Sequence, residues 1–425
     1  MQHSQPRTQA PRPLFSLYKL WQHYLASEHL HGQQPIPQAD RWLAHYFKQN
    51  KQHGKRDRQF LSQYFFAGLR HALFALYCEE GAEAVSQYRN PQKLVAWLRR
   101  TPAERFFQAI ELRLTGTTPT APDLIWHSIP PALTPALTQR KQKSWTNEQY
   151  QTFLTAQDTQ PPLWIRLKKA DQLTEVLTQL QQNGLSVMKQ RQLTHSIALA
   201  VSGTKGLYEL PAYQQGQIEI QDLGSQMIGD AIAPEHSKSY VLDACAGGGG
   251  KTMQIAATLN NQGAVYACDI REHKLPEIKR RAKKGEFVNV RTFAWDWTQP
   301  ELPEFPKEIQ KMNGFDWALV DAPCSSSGTW RRNPDAKWRF DLTGLPALNQ
   351  LQLQIVSNVS KTVKPNGRLV YSTCSFLIEE NEAIIEQFLQ NHPHFSLIHQ
   401  TLLGCPAENS DTLFVAVLQH HEKPS

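Results

Sequence analysis

Apolar residues recur at helical spacing through the first hundred residues of the chain, from Leu14 to about Phe107. The first stripe consists of Leu17, Leu20, Trp21, Tyr24 and Leu25. A stripe with this period buries one face of a helix. Pro, Thr, Ser and Gln dominate residues 115–160, which indicates short helices and linkers. We therefore predict a helical accessory domain with a linker over residues 1–155.

The pattern changes at Pro161 to short apolar strands around a single helix. The helical stretch, 171–182, stops before Gly184, and the strand-like runs are 163–167, 196–201 and 217–220. Apolar runs of this length, bounded by turn residues, are typical of strands. We predict a small α+β module over residues 156–235.

Strands and helices alternate after Pro234. Apolar strands are expected near residues 240–244, 264–269, 288–293, 316–321 and 367–372. Regular alternation predicts a parallel, doubly wound sheet with right-handed crossovers, so the fold class is α/β. This domain is expected to cover residues 236–425.

Length and charge narrow the class of protein. A chain of 425 residues is too long for one ordinary core, so we expect two or three domains. The net charge of +7 favours a polyanionic partner such as nucleic acid. The N-terminal residues are polar, and no run approaches the roughly 20 apolar residues that a membrane helix needs. We expect a soluble, unsecreted protein.

The cysteine pattern indicates neither a disulfide framework nor a zinc site. The chain contains six cysteines and no C-x-x-C pair. His392, His394 and His399 have no acidic partner at ligand spacing, so we expect no metal. A reducing cytoplasm fits this composition best.

A glycine-rich loop follows the first strand of the α/β domain and runs from Cys245 to Thr252. A Walker A phosphate loop would need glycine where Cys245 stands. A dinucleotide loop would need its third glycine where Thr252 stands. The remaining possibility is a nucleoside cofactor that backbone amides contact.

Acidic residues stand at the ends of successive strands, at Asp243, Asp269, Asp296 and Asp321. Asp269 lies about 20 residues beyond the glycine loop, where a carboxylate can accept hydrogen bonds from ribose hydroxyls. Each acid alone could equally be a turn residue or a helix cap. S-adenosylmethionine carries ribose hydroxyls, an adenine amine and an ammonium group, which are the donors that such a row suits.

Two cysteines follow strand-like runs fifty residues apart. Cys324 ends the segment Asp321-Ala322-Pro323-Cys324, and Cys374 ends Tyr371-Ser372-Thr373-Cys374. The carboxyl ends of parallel strands meet at one edge of the sheet, so both thiols should reach one site. A thiolate attacks electrophilic carbon well. Spacing alone does not decide which cysteine attacks.

Residues from about 160 to 420 resemble the RNA cytosine-5 methyltransferases of the Sun family, most closely the bacterial small-subunit ribosomal RNA branch of the B type. The matching segments are Gln221 to Gln226, Cys245 to Thr252, Asp321 to Ser325, Arg331 to Trp338, Ser372 to Ser375 and Glu380 to Glu382. The N-terminal helices resemble the accessory domain of that family, chiefly between Lys55 and Arg70. One departure is visible, because a glycine replaces the proline of the usual Ala-Ala-Pro-Gly-Gly-Lys loop.

This resemblance implies a Rossmann-like S-adenosylmethionine methyltransferase domain, preceded by an RNA-binding module and the helical domain. It implies that Cys374 is the nucleophile and that Cys324 assists product release. Asp321 is placed to hold a proton or hydrogen bond at ring nitrogen 3 of the cytosine. The expected cofactor-binding residues are Cys245, Ala246, Gly247, Gly248, Gly249, Gly250, Lys251, Asp269, Asp296 and Asp321.

Aromatic and basic residues after Cys324 are predicted RNA contacts, because arginine pairs with phosphates and tryptophan stacks on bases. They are Trp330, Arg331, Arg332, Lys337, Trp338 and Arg339. The basic run from Arg271 to Lys284 is interpreted as a solvated helix face. We expect a monomeric ribosomal RNA methyltransferase. The alternatives are a transfer RNA methyltransferase and a non-catalytic RNA-binding factor of ribosome assembly, although binding alone would need neither cysteine.

Overall fold

The computed structural model describes residues 12–27, 38–87, 91–116, 121–234 and 238–422. The chain forms two compact units. The first comprises residues 1–160 and 329–342, and the second comprises 161–328 and 343–425. The boundary predicted at residues 235–236 lies outside the described residues, and the division into three domains stays a prediction.

The helical unit begins with nine α-helices in the described residues, and the first seven of them share an apolar core that is rich in aromatic residues. They are α1 (Arg12–Ala26), α2 (Ala39–Gln49), α3 (Lys55–Arg70), α4 (Ala72–Gln87), α5 (Pro91–Arg100), α6 (Ala103–Thr115), α7 (Asp123–Trp126), α8 (Thr134–Ser144) and α9 (Asn147–Ala156). Trp21 stacks on Phe106 with ring centroids 4.8 Å apart and meets Phe65 edge to face. The apolar stripes seen in the sequence therefore form one continuous core.

The small α+β module has the order strand, helix, strand, strand, helix, strand. Its elements are β1 (Leu163–Leu167), α10 (Leu173–Gln182), β2 (Val187–Gln192), β3 (Ile197–Val201), α11 (Pro211–Gln214) and β4 (Ile218–Ile220). The strands form an antiparallel sheet in the order β2-β3-β1-β4. Strand β2 was not predicted, because this edge strand is almost entirely exposed and carries no apolar alternation.

Both faces of this small sheet are covered. One face packs Ile165 and Leu199 in a cluster with Val176 of α10. The other face buries Trp164 and Ala200 together with Leu223, in the helix that follows the module. The opposite face of the sheet is therefore closed as well.

The second part of this unit contains a seven-stranded sheet. Its strands are β5 (Tyr240–Asp243), β6 (Ala264–Cys268), β7 (Val290–Phe293), β8 (Phe315–Asp321), β9 (Val363–Thr373), β10 (Phe395–Gly404) and β11 (Thr412–His420). The remaining helices are α12 (Leu223–Ala231), α13 (Gly250–Thr258), α14 (Leu275–Lys284), α15 (Lys307–Lys311), α16 (Ala336–Arg339), α17 (Leu345–Ser360) and α18 (Glu382–Asn391), of which α16 belongs to the helical unit.

The sheet has the order β10-β11-β9-β8-β5-β6-β7. Strands β5 to β9 are parallel, as predicted from the alternation. The expectation of an all-parallel sheet is wrong at one edge, where β11 runs antiparallel to both β9 and β10. Strands β10 and β11 were not predicted, although Leu413 to Leu418 is a continuous apolar run.

Residues 329–342 are an insertion from the α/β domain into the helical unit. Trp338 is buried in the helical core and its indole N–H donates to the carbonyl of Leu69 at 2.7 Å. Lys337 is also buried, and its ammonium donates to the carbonyls of Arg70 and Ser128, each at 3.3 Å. This inserted segment is therefore part of the helical core.

No helix in the described ranges is both long and apolar enough to cross a membrane.

Candidate active site

One cavity of about 520 Å³ opens at the carboxyl ends of the parallel strands. Its walls combine acidic and apolar side chains with two thiols, and include Asp269, Ile270, Asp296, Asp321, Cys324 and Cys374. Open α/β sheets place their ligand sites at this edge. The acids and the cysteines singled out in the sequence therefore share one cavity.

The glycine loop joins β5 to α13 through two left-handed turns. Gly247 has φ +56° and Gly249 has φ +81°, which side chains other than glycine rarely adopt. The N–H of Gly247 donates to Asp269 Oδ2 at 2.8 Å. The loop is thus fixed to the end of β6, and its glycines lie beside the cavity without forming its walls.

Asp269 is almost fully buried at the end of β6 and all its hydrogen bonds come from neighbouring N–H groups. Besides Gly247, its carboxylate accepts the backbone N–H of Arg271 at 2.9 Å and two guanidinium bonds at 2.9 and 3.0 Å. Burial alone would raise the pKa of Asp269, but the hydrogen bonds from Arg271 and Gly247 outweigh it and the pKa is lowered. Asp269 therefore remains an ionised acceptor.

Asp321 joins the glycine loop to the strand that carries Cys374. Its Oδ2 accepts from Lys251 Nζ at 2.7 Å, and its Oδ1 accepts from Ser372 Oγ at 2.9 Å. Burial alone would lower the pKa of Lys251, but the charge of Asp321 and its hydrogen bond raise it. Lys251 therefore stays charged beside the cavity.

Asp243 lies beneath this ion pair and is fully buried. It accepts from Thr252 Oγ1 at 2.6 Å, and burial raises its pKa to about 7. Asp243 does not line the cavity, so the structure separates it from the other acids of the predicted row.

The thiols of Cys324 and Cys374 lie 3.2 Å apart, within hydrogen-bond distance for sulfur. The hydrogen bond from Cys324 lowers the pKa of Cys374, and it acts against burial, which raises that pKa. The same bond, together with burial, raises the pKa of Cys324 well above its usual range. The directions of the two pKa shifts favour Cys374 as the thiolate and Cys324 as its hydrogen-bond donor, and the backbone N–H of Cys374 in turn donates to Cys324 Sγ at 3.3 Å.

Of the predicted site residues, Cys245, Asp269, Asp296, Asp321, Cys324 and Cys374 line the cavity. Ala246 and the glycines form the adjoining loop, and Lys251 reaches the cavity through Asp321. Their individual roles stay predictions. Arg271 was interpreted as part of a solvated basic face, which is wrong because its guanidinium bonds to Asp269, and Glu380 was given no role beyond its place in a matching segment. Arg271 could have been found as a base next to the predicted ribose acceptor, whereas the contacts of Glu380 are long-range.

The predicted RNA contacts after Cys324 are wrong for most of their members. Trp330, Arg331, Lys337 and Trp338 are each at most 3% exposed. Arg331 Nε donates to the carbonyl of Ala156 at 2.8 Å, inside the helical unit. A tryptophan in a packed core cannot stack on a base, and these cations are engaged by backbone carbonyls. The aromatic and basic side chains of this segment therefore pack and form hydrogen bonds inside the helical unit.

The basic helix α14 matches its interpretation as a solvated face only in part, because the guanidinium of Arg281 pairs with Glu219 at 2.7 Å and both side chains are largely buried. Arg280 pairs with Glu277 on the same helix, with both side chains exposed. Lys279 and Lys283 are exposed. Within the described ranges, no group of three His, Cys, Asp or Glu side chains is placed to hold a metal ion.

The parallel sheet, the antiparallel strand β11 and the cavity at the strand ends define a Rossmann-like methyltransferase fold. The chain aligns over its whole length with the crystal structure of PH0851, with a TM-score of 0.69 and 21% identity, covering 98% of this chain and 100% of that one. It also aligns with NSun6 from Pyrococcus horikoshii, solved with SFG, with a TM-score of 0.56 and 16% identity, covering 68% and 98% of the two chains. At these identities the similarity shows the fold.

Residues 230–423 match the family model described as 16S rRNA methyltransferase RsmB/F. The ribosomal RNA small subunit methyltransferase B of Pasteurella multocida (strain Pm70) is 33% identical over 272 residues, which are 64% of this chain and 58% of that protein. The probable ribosomal RNA small subunit methyltransferase B of Bacillus subtilis (strain 168) is 34% identical over 55% of this chain and 50% of that protein. The matched region spans little more than half the length of these relatives. Over residues 230–423, the chain is therefore similar to the RsmB/F family.

Proposed function

We propose that this protein methylates carbon 5 of a cytosine in small-subunit ribosomal RNA, with S-adenosylmethionine as the methyl donor. The observation that carries the proposal is the thiol pair, 3.2 Å apart and with opposite pKa shifts, at one end of a cavity that also contains Asp269 and Asp296. The names of the relatives support ribosomal RNA as the substrate.

The residues of the cavity fit S-adenosylmethionine, which supplies the methyl group as an electrophile. Asp269 and Asp296 offer carboxylate acceptors for ribose hydroxyls and for an amine. Ile270, 63% exposed, offers an apolar surface for a base next to Asp269. The guanidinium of Arg271 takes two of the acceptor positions of Asp269, so we expect it to give these up to a ribose.

Carbon 5 of cytosine is a poor nucleophile, and Cys374 is proposed to overcome this. Its thiolate adds to carbon 6, the electrons of the 5,6 double bond form a double bond between carbons 4 and 5, and the electrons of the double bond between carbon 4 and nitrogen 3 move to nitrogen 3. Carbon 5 thereby gains enamine character. Asp321 supplies a proton or hydrogen bond at nitrogen 3 as this charge develops. Lys251, bonded to Asp321, is the donor that can restore that proton.

Product release requires the proton on carbon 5 to leave to water and any proton delivered to nitrogen 3 to return to Asp321 and Lys251. The electrons of that C–H bond re-form the 5,6 double bond, the bond from carbon 6 to sulfur breaks, and Cys374 leaves as a thiolate. Cys324, adjacent to Cys374, is placed to assist this step, because its thiol keeps its proton and can donate a hydrogen bond to the departing thiolate of Cys374.

The test is transfer of labelled methyl from S-adenosylmethionine to unmodified small-subunit ribosomal RNA, with the wild type, Cys374→Ala and Cys324→Ala side by side. We expect no transfer by Cys374→Ala and a covalent protein–RNA adduct with Cys324→Ala. Cys78→Ala is the matched control, because Cys78 is a thiol on α4 of the helical unit, and it should retain activity.

Full turnover by Cys374→Ala would disprove the mechanism. Transfer by the wild type to transfer RNA, with none to ribosomal RNA, would change the substrate. Absence of transfer to any RNA, with RNA binding retained, would favour the assembly factor.

A further inference from the structure

The loop of residues 322–326, here called the Cys324 loop, is contacted by a buried carboxylate. This carboxylate bonds to the residue that follows the cysteine. Glu380 is fully buried in the turn after β9. Its Oε1 accepts the backbone N–H of Ser325 at 2.7 Å, and its Oε2 accepts the hydroxyl of Ser325. Ser325, the residue after Cys324, therefore donates two hydrogen bonds to a carboxylate. Such charge-assisted bonds are stronger than hydrogen bonds between neutral groups.

The residue that precedes Cys324 is held by the same network. Gln352 on α17 donates from Nε2 to Glu380 Oε1 at 3.0 Å and to the carbonyl of Pro323 at 2.9 Å. Tyr371 in β9 donates its hydroxyl to the carbonyl of Glu380 at 2.7 Å. The peptide groups on both sides of Cys324 are thus tied to one buried pair, Glu380 and Gln352.

The Cys324 loop needs such anchors because it has no regular secondary structure between the end of β8 and the short turn Ser327–Thr329. A buried carboxylate with neutral donors is costly unless every donor is in place. An apolar residue would fill the same space without this desolvation penalty. The presence of a carboxylate therefore favours a role in fixing the geometry of the loop.

We propose that Glu380 is a positioning residue that, together with Gln352, holds the thiol of Cys324 against the thiol of Cys374. The consequence for catalysis rests on the function proposed above, because Cys324 assists release only from this position. The position of the two thiols relative to each other does not depend on RNA.

The first experiment measures the distance relation between the thiols without RNA. The azo oxidant diamide takes up two hydrogens and joins two neighbouring thiols as a disulfide. The rate at which the Cys324–Cys374 disulfide forms is followed by peptide mass spectrometry in the wild type, Glu380→Ala and Glu380→Gln. We expect Glu380→Ala to slow it by about tenfold or more. Glu380→Gln should react at close to the wild-type rate, because its amide oxygen can still accept from Ser325 and Gln352.

The matched control is Glu379→Ala, on the same turn, since no hydrogen bond between described residues joins Glu379 to the Cys324 loop. It should react like the wild type. If Glu380→Ala lowers the melting temperature but forms the disulfide at the wild-type rate, Glu380 is only structural and the proposal fails. If Glu380→Ala does not fold, Gln352→Leu, which removes the bond to Pro323, must slow the reaction by itself, and an unchanged rate overturns the proposal.

The second experiment connects the geometry to catalysis. With RNA and S-adenosylmethionine, Glu380→Ala should accumulate the protein–RNA adduct expected for Cys324→Ala, and Glu380→Gln should restore release. An altered disulfide rate with no methylation by the wild type would refute the proposed function and keep the positioning role. If Glu380→Ala slows disulfide formation but releases the adduct normally, Glu380 positions the thiols and its role in product release is overturned.

Discussion

Two lysines, one in each unit of the chain, are buried in opposite ways. Lys251, whose side chain is 12% exposed, forms an ion pair with Asp321, and its pKa is raised. Lys337, 1% exposed, donates to the carbonyls of Arg70 and Ser128, and burial lowers its pKa to about 7. Lys251 therefore keeps its proton beside a cavity, whereas Lys337 can lose its proton in a closed core.

The contrast between Lys251 and Lys337 separates functional from structural charge in this chain. A buried charge can act on a ligand when its oppositely charged partner lines a cavity, as Asp321 does for Lys251. A buried charge that only satisfies backbone carbonyls fixes a segment in place. Substitutions near Lys251 should therefore change chemistry or ligand affinity, and substitutions near Lys337 should change the free energy of unfolding.

The largest effect is expected for Lys251→Met. Loss of the ammonium leaves Asp321 without its proton donor, and general acid catalysis of this kind contributes about 10²–10⁴-fold to the rate. Single-turnover methylation at saturating S-adenosylmethionine measures it. Lys279→Met, on an exposed helix face, is the control and should leave the rate unchanged. An unaltered methylation rate in Lys251→Met would show that the charge of Lys251 has no catalytic role.

Trp338→Ala should give the largest loss of stability. The side chain is buried and its indole N–H is hydrogen-bonded, so truncation should lower the free energy of unfolding of the helical unit by about 3–5 kcal/mol. Urea unfolding of the full chain measures it, and Phe15→Ala is the control because Phe15 is 53% exposed. Weakened RNA binding with unchanged stability would instead restore Trp338 as an RNA contact.

Asp269→Ala should weaken binding of S-adenosylmethionine by about 1.5–3 kcal/mol, the range for hydrogen bonds to a charged group. Calorimetric titration of the cofactor measures the change. Arg271→Ala sharpens this test, because it removes the guanidinium that shares the Asp269 carboxylate and should not weaken binding. Equal affinity in Asp269→Ala and wild type would refute the ribose assignment.

The smallest effect is a dependence of stability on pH. The pKa of Lys337 is lowered by burial and by Arg70, partly offset by Asp158, so between about pH 7 and its unfolded value of 10.5 the unfolded state binds more protons. The free energy of unfolding should therefore rise with pH in this window, by at most about 1.4 kcal/mol per pH unit from this group. Lys337→Met should flatten the dependence measured by urea unfolding, and an unchanged slope would contradict the assignment.

The sequence predicted those parts of the fold and site that depend on local pattern. Alternating strands placed Asp269 and Asp321 at strand ends, and both line the cavity. The pattern failed at Trp338, because the residue types that stack on bases also fill cores, and only long-range contacts distinguish the two. It gave no role to Glu380 for the same reason, since Ser325 and Gln352 approach it only in the folded chain.

The inserted segment also constrains the order in which the protein can mature on the ribosome. Residues 1–160 emerge first. The carbonyls of Leu69, Arg70 and Ser128 can accept their hydrogen bonds only after the donors Lys337 and Trp338 have been synthesised. Domains usually fold as units from the N-terminus during synthesis. Here the helical unit completes its core only after β8 has been made. Nascent chains stalled before residue 329 should therefore carry an unfinished helical unit, and cutting the chain at residue 160 cannot yield two independent halves.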